Sequence, residues 1–259
     1  MRLPAFVRLT VRNVMVNTDP GTMFFMFGIP IFYLLVMGLL YQGIITGIPV
    51  NGVLIPYTTF LAPGIVGMQA FTAGNIGGGM LWADRRWGMF EQLLVGPFRR
   101  SEYLFGIIFL SVIFAIGGSL IMIILAALIK SATFSMSLLS YVYLIAALVT
   151  GTILFSSLFL IISIKARSMN AYSTITFLLF FLLDFASTAF YPITSQTPLP
   201  LRIVSAGNPL SYIVDVMRDS MVYGISYSTL FDLGIITTLM AVVLPISIWL
   251  YGNVRTGIQ

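Results

Sequence analysis

The sequence predicts an all-α polytopic membrane protein: six transmembrane helices, an N-terminal interfacial helix, an amphipathic cytoplasmic link and an external re-entrant hairpin before the last span. Three observations predict it. Of the 259 residues, 59% are hydrophobic and only 8% charged, with mean hydropathy +1.02, whereas soluble domains carry about 25% charged residues. Six apolar runs are each long enough to cross a bilayer, which takes about 20 residues. Ten of the 13 Lys and Arg residues then fall on one side of the topology those runs define. The links are short, so residues 1–259 read as a single transmembrane domain.

The chain opens with an interfacial helix within residues 1–20. Leu3, Phe6, Val7, Thr10 and Val14 share one face at helical spacing, while Arg8 and Arg12 lie away from it. Basic residues opposite an apolar face suit a helix held at the membrane surface by anionic lipid. The segment is not a cleavable signal peptide: Arg2, Arg8 and Arg12 are spread through it, and the first long apolar run begins only at Met23. Asp19-Pro20-Gly21 breaks the helix.

The apolar runs are Met23–Tyr41, Tyr57–Leu81, Leu104–Ile129, Leu138–Ile164, Tyr172–Tyr191 and Leu230–Tyr251. Pro30, Pro63 and Pro245 fall within or near the ends of runs, where neighbouring helices can satisfy the freed carbonyls. One side collects Arg2, Arg8, Arg12, Arg85, Arg86, Arg99, Arg100, Lys165, Arg167 and Arg255; the other has Lys130, Arg202 and Arg218. The positive-inside rule makes the first side, and both termini, cytoplasmic.

Residues 192–229 form an unusually long external stretch. Thr197-Pro198-Leu199-Pro200 breaks the chain, and Leu201 to Ala206 can form a short apolar helix. Asn208-Pro209 then reads as an N-cap followed by proline at the first helical position, opening a helix that stops at Gly224. Leu210, Ile213, Val214, Met217 and Met221 make its apolar face, and Ser211, Asp215, Arg218 and Asp219 its polar one. Two pieces too short to span read as a re-entrant or interfacial hairpin.

Between the second and third runs lies a charged link, residues 82–103. At about 100° per residue, Asp84, Arg85, Gly88, Glu91 and Gln92 fall together, opposite Trp87, Met89, Phe90, Leu93 and Leu94. Gly96-Pro97 ends the helix. Periodicity leaves open whether this helix offers its polar face to a soluble partner or lies passively at the interface.

Several functions are excluded by composition. Without Cys there are no disulfides and no thiolate metal sites. Without His the commonest general base and metal ligand is missing. No metal site and no catalytic residue is expected, and a membrane-embedded enzyme lacks a nucleophile–base constellation. The net charge of +5 is small for nucleic-acid binding. A passive channel should present a ring of charges or a filter-like loop, for which only the external hairpin qualifies.

The segments FLAPGIVGMQAF, WGMFEQLLVGPFRRSEYLFG and YPI…LPLRIVSAGNPLSYIVDVMR, in this order and spacing, resemble the ABC-2 family of transporter permeases. The resemblance covers essentially the whole chain. It implies two permease chains side by side in the inner membrane, as a homodimer or close heterodimer, each docked on an ATP-binding-cassette ATPase. The exported substrate would be lipid-like, drug-like or a glycan; the link favours a hydrophobic drug or lipid over a polysaccharide or glycolipid. Glu91 matches the family's coupling position, and Asp84, Arg85, Gly88 and Gln92 surround it. Asn208, Pro209 and Leu210 match its external motif, with Asp215 and Arg218 on the helix that follows. No G-x-x-x-x-G-K-[ST] loop occurs in the chain, so the two ATPase copies are separate polypeptides that hold the ATP and magnesium, leaving no cofactor here.

Within the spans Asp184 is the acidic residue of interest, because a carboxylate inside a bilayer is costly. With Gln69 and Asn75 it forms a possible intramembrane polar path; Gln69, Thr72 and Asn75 read equally as glue between helices. Gly74 and Gly78 have G-x-x-x-G spacing, which allows close backbone approach.

Overall fold

A computed structural model describes residues 4–44, 47–50, 53–89, 92, 99–129, 134 and 136–253. Helix α1 (Ala5–Val16) lies outside the bundle and packs on the start of a later helix. Its buried residues are Leu9, Thr10 and Asn13, whereas Phe6, Val11, Met15 and Val16 are exposed. The inward face is therefore rotated from the expected one, and the cause is Arg12, which turns toward the protein to meet Asp84.

Asp19 ends this segment and starts the next: its side chain accepts from the backbone N–H groups of Gly21 and Thr22, with Pro20 at the first helical position. Helix α2 (Pro20–Tyr41) contains two π-helical turns, Phe24–Gly28 and Tyr33–Met37, on either side of the turn that carries Pro30. Proline cannot donate to the ladder, and widened turns absorb such defects. A two-stranded antiparallel hairpin follows, β1 (Ile48–Val50) with β2 (Val53–Ile55), in register Ile48↔Ile55. This small element stands beside an otherwise helical chain, in keeping with the all-α expectation.

Helix α3 (Tyr57–Arg86) is the axis of the molecule; from Tyr57 to Gly74 every residue is buried. Around it stand α4 (Arg100–Leu128), α5 (Leu138–Lys165) and α6 (Met169–Phe185). Two short helices, α7 (Leu199–Ala206) and α8 (Pro209–Arg218), precede α9 (Tyr227–Gly252), which packs on the outer side of α5. A π-helical turn, Asp219–Tyr223, prolongs α8 as far as Gly224, whose φ of +89° only glycine adopts freely.

The core is built on glycine and phenylalanine. Phe71 of α3 meets Phe155 and Phe159 of α5 edge-on, at centroid distances of 5.1 and 5.0 Å. Gly74 and Gly78 lie against the backbone of Phe155–Ser156 and of Phe159, so the G-x-x-x-G pair does bring α3 and α5 together. Lipid tails are as apolar as these side chains, so close packing rather than water exclusion holds such helices.

Among the described residues four helices are long and apolar enough to cross a membrane: α2, α4, α5 and α9. α3 is longer, at 30 residues, but its glycines and polar side chains dilute its apolar character. α6 has 17 residues and ends at Phe185, six short of the expected Tyr191. There the chain turns, the Ser187 hydroxyl donating to the Asp184 carbonyl at 2.7 Å. The backbone beyond is sheltered by α3, where Gly64 leaves room for Ala189.

Candidate functional site

The charged link is anchored at both ends by arginines. α3 does not stop at Leu81 but runs on to Arg86, and the chain turns at Trp87 and Gly88, whose φ is +70°. Asp84 and Arg85 therefore belong to the long span helix, not to one continuous helix with Gln92. The expected common polar face is corrected accordingly: Gln92 is exposed, its N–H donating to the Gly88 carbonyl, while Asp84 is buried. Glu91, with Phe90 and residues 93–98, lies outside the described residues.

Asp84 accepts from Arg12 Nη1 at 2.8 Å and Nη2 at 3.0 Å, and from the Tyr103 hydroxyl at 2.6 Å. Three elements meet at this carboxylate: α1, the end of α3 and the start of α4. Hydrogen bonding to Asp84 raises the Arg12 guanidinium above its ordinary pKa, against the opposing effect of burial. A two-pronged guanidinium–carboxylate pair fixes orientation as well as charge. Arg85 Nη1 donates to the carbonyls of Ser163 and Ile164, and Arg100 Nη1 to that of Gly252. These are orphan carbonyls at the C-terminal ends of α5 and α9, where a cation also complements the helix dipole. The link thus leaves and re-enters the bundle through residues tied to α1, α5 and α9. Sequence reading missed this because every partner is distant in the chain.

Beside the link opens a cavity of about 650 Å³ between α2, α3 and α6, within the range of small-molecule sites. It reaches from the α1–α2 corner at Asn17 into the bundle, and its walls include Phe25, Tyr33, Phe177 and Phe181. Asn75 lines it, and the Tyr172 hydroxyl donates to both its side-chain and backbone oxygens at 2.9 Å. Phe177 and Phe181, four apart on α6, meet edge-on at a centroid distance of 4.7 Å; that spacing was the available signal for this wall.

The other two members of the expected polar path are elsewhere. Gln69 is fully buried and leans on Gly118 of α4, with neither side-chain polar atom paired among the described residues. Asp184 is buried near the far end of α6, and both its carboxylate oxygens likewise lack a partner there. Of the three expected path residues, Asn75 alone lines this cavity among the described residues. An unpaired buried carboxylate is costly. Asp184→Asn, which cannot ionise, is therefore expected to preserve assembly and to alter the pH dependence of transport. Thermal melting and transport assays across pH check this; a pH profile identical to wild type would leave Asp184 a packing role alone.

The hairpin of α7 and α8 gathers its residues. Asn208 Oδ1 accepts from the Leu210 N–H at 2.9 Å, and its Nδ2 donates to the Leu183 carbonyl at 2.7 Å, tying the start of α8 to α6. Pro209 takes the first helical position and Leu210 is fully buried. Arg218 is buried over the Phe60 ring, 3.9 Å from its centroid. It donates to Asp215 Oδ1 at 3.0 Å and to the Thr188 carbonyl at 2.6 Å. The Thr188 hydroxyl donates to the same Oδ1 at 2.7 Å. Carboxylate, carbonyl and ring together offset the desolvation of the guanidinium.

The structure is thus a polytopic helical bundle with a charged link anchored at one end and a hairpin of two short helices before its last long helix. The family model of the ABC-2 type transporter matches residues 5–222, from α1 through the α7–α8 hairpin, and the chain belongs to that family. It is an integral membrane permease of the ABC transporter class, a class that works with an ABC ATPase. A search of curated proteins found no match to the chain.

Proposed function

We propose that this chain is the transmembrane subunit of an exporter that moves a hydrophobic, drug-like or lipid-like substrate out of the cytoplasm or the inner leaflet. A separate ATPase, in two copies, binds ATP and magnesium and drives it. The observation that carries this reading is the aromatic cavity beside the link, because substrate and driving partner would then meet at the same end of the bundle. Its mostly apolar wall favours a hydrophobic molecule over a glycan, which needs rows of hydrogen-bonding groups. With α3 and α6 counted beside the four apolar helices, the chain has six spans and both termini on the cytoplasmic side of the inner membrane. Phe24 and Phe32 of α2 and Phe177 and Phe181 of α6 are exposed, aromatic surface on which a second copy completes a homodimer.

The test is assembly and coupling together. The mass of the detergent-solubilised complex should correspond to two permease and two ATPase chains. Glu91→Ala should leave the bundle folded but weaken ATPase docking or let ATP be hydrolysed without efflux, since charge-assisted hydrogen bonds contribute about 1.5–3 kcal/mol each. A monomer that transports without an ATPase would overturn the reading, and wild-type docking and efflux in Glu91→Ala would remove that residue from the coupling site.

A further inference from the structure

A second cavity, an open cleft of about 600 Å³, lies at the opposite end of the bundle, bordered by α7, α8 and the non-helical segment that follows α6. Its lining is of three kinds: charged, hydroxyl-bearing and apolar. Arg202 of α7 is exposed, and its guanidinium has no hydrogen-bond or ion-pair partner among the described residues. Asp215 of α8 spends one oxygen on both its partners: Thr188 and Arg218 donate to Oδ1, whereas Oδ2 accepts from nothing described and keeps access to solvent. Thr194 and Ser195 bring further hydroxyls, and neither hydroxyl is committed among the described residues. The third kind is apolar: Leu199 and Ile203, 65% and 63% exposed, stand four residues apart on the α7 face that also carries Arg202.

We propose that this cavity binds a zwitterionic group made of a phosphate and a primary ammonium, the headgroup chemistry of an ethanolamine phospholipid. Phosphate oxygens pair with the Arg202 fork and the two hydroxyls, a geometry suited to guanidinium. The ammonium donates to Asp215 Oδ2, the acceptor left over from the Arg218 pair. Acyl chains run along the Leu199–Ile203 ridge, as apolar surface beside a charged pocket requires. A choline headgroup fits less well because its quaternary nitrogen has no N–H to donate, and a purely anionic headgroup meets the Asp215 charge. Which leaflet supplies the lipid rests on the orientation proposed above; the binding chemistry does not.

The experiment uses the full-length chain in detergent, mixed with equal amounts of ethanolamine, choline and glycerol phospholipids of identical acyl chains, and reads lipid retention by native mass spectrometry. Ethanolamine lipid should be retained about tenfold over each of the others, the ratio that one charge-assisted hydrogen bond supplies. Arg202→Gln, on an exposed position that leaves the fold intact, should abolish most of that retention. Asp215→Asn keeps an acceptor for Thr188 and should level ethanolamine with choline; its thermal midpoint separates this effect from loss of the Arg218 pair. Glycerophosphoethanolamine, which has no acyl chains, distinguishes a soluble ligand from a membrane one: displacement of the lipid at equal concentration assigns recognition to the headgroup alone, and failure to displace it assigns the ridge a part. Equal retention of all three lipids by the wild-type chain, or an ethanolamine preference that survives Arg202→Gln, would overturn the proposal.

Discussion

Gly78→Leu is expected to separate α3 from α5 and to leave little folded protein in the membrane. A Cβ at this position would lie 2.6 Å from the Phe159 Cβ, 2.8 Å from the Phe159 carbonyl oxygen and 2.6 Å from the Tyr172 hydroxyl. The tyrosine could swing aside, but the Phe159 backbone can move only with α5. One helical turn away, a Cβ at Gly74 would lie 2.7 Å from the Ser156 backbone nitrogen, so the two glycines define one continuous close crossing. Overfilling a packed core costs about 1–3 kcal/mol and occasionally more, and a leucine here adds loss of the Phe71–Phe155–Phe159 cluster. Gly79→Ala is the internal control, since its new Cβ meets only Tyr172 at 3.7 Å. That variant should hold its stability or gain up to about 1 kcal/mol from helix propensity. Thermal melting followed by size-exclusion chromatography checks both; a Gly78→Leu midpoint equal to that of wild type would refute the crossing.

That crossing was legible in the sequence because G-x-x-x-G spacing states its own geometry. The ends of α4, α5 and α9 were legible too, within four residues, because lipid forces every exposed backbone group into a helix and leaves long apolar runs as the trace. The hairpin's start at Asn208-Pro209 was readable for the opposite reason: a local capping rule needs no tertiary partner. Where the sequence misled, a distant residue decided. α6 stops at Phe185 inside an apolar run because Arg218, 30 residues later, takes the Thr188 carbonyl and α3 accommodates Ala189. Gln69 and Asn75 looked like one stripe on α3, yet they face α4 and α6 respectively, and a six-residue separation on a helix places them on different sides. Arg12 read as a lipid-facing cation because its acidic partner is 72 residues away.

That Arg12–Asp84 contact supports the other large effect. Asp84→Ala is expected to release α1 from the bundle and to disconnect the link's first anchor. The substitution removes both guanidinium bonds and the acceptor for Tyr103, whose side chain is almost fully buried. Breaking a fully buried pair costs about 3–5 kcal/mol; Arg12 keeps 24% of its side chain exposed, so about 2 kcal/mol is the better figure once solvent screening is allowed for. The variant should still insert, because α2 through α9 keep their packing. Its signature should be proteolysis within residues 5–16 at a concentration that spares the wild type. Arg12→Met combined with Asp84→Leu separates charge from packing, because an apolar replacement of both partners is often neutral. The double variant should regain most of the lost stability, and the non-additive remainder measures the pair directly. If ATPase and permease are coupled through the link, Asp84→Ala should also hydrolyse ATP at an undiminished rate while efflux falls, and the double variant should restore stability before efflux. Equal protease resistance of wild type and Asp84→Ala would show that α1 is held by Leu9 and Asn13 against Gly106 instead of by this pair.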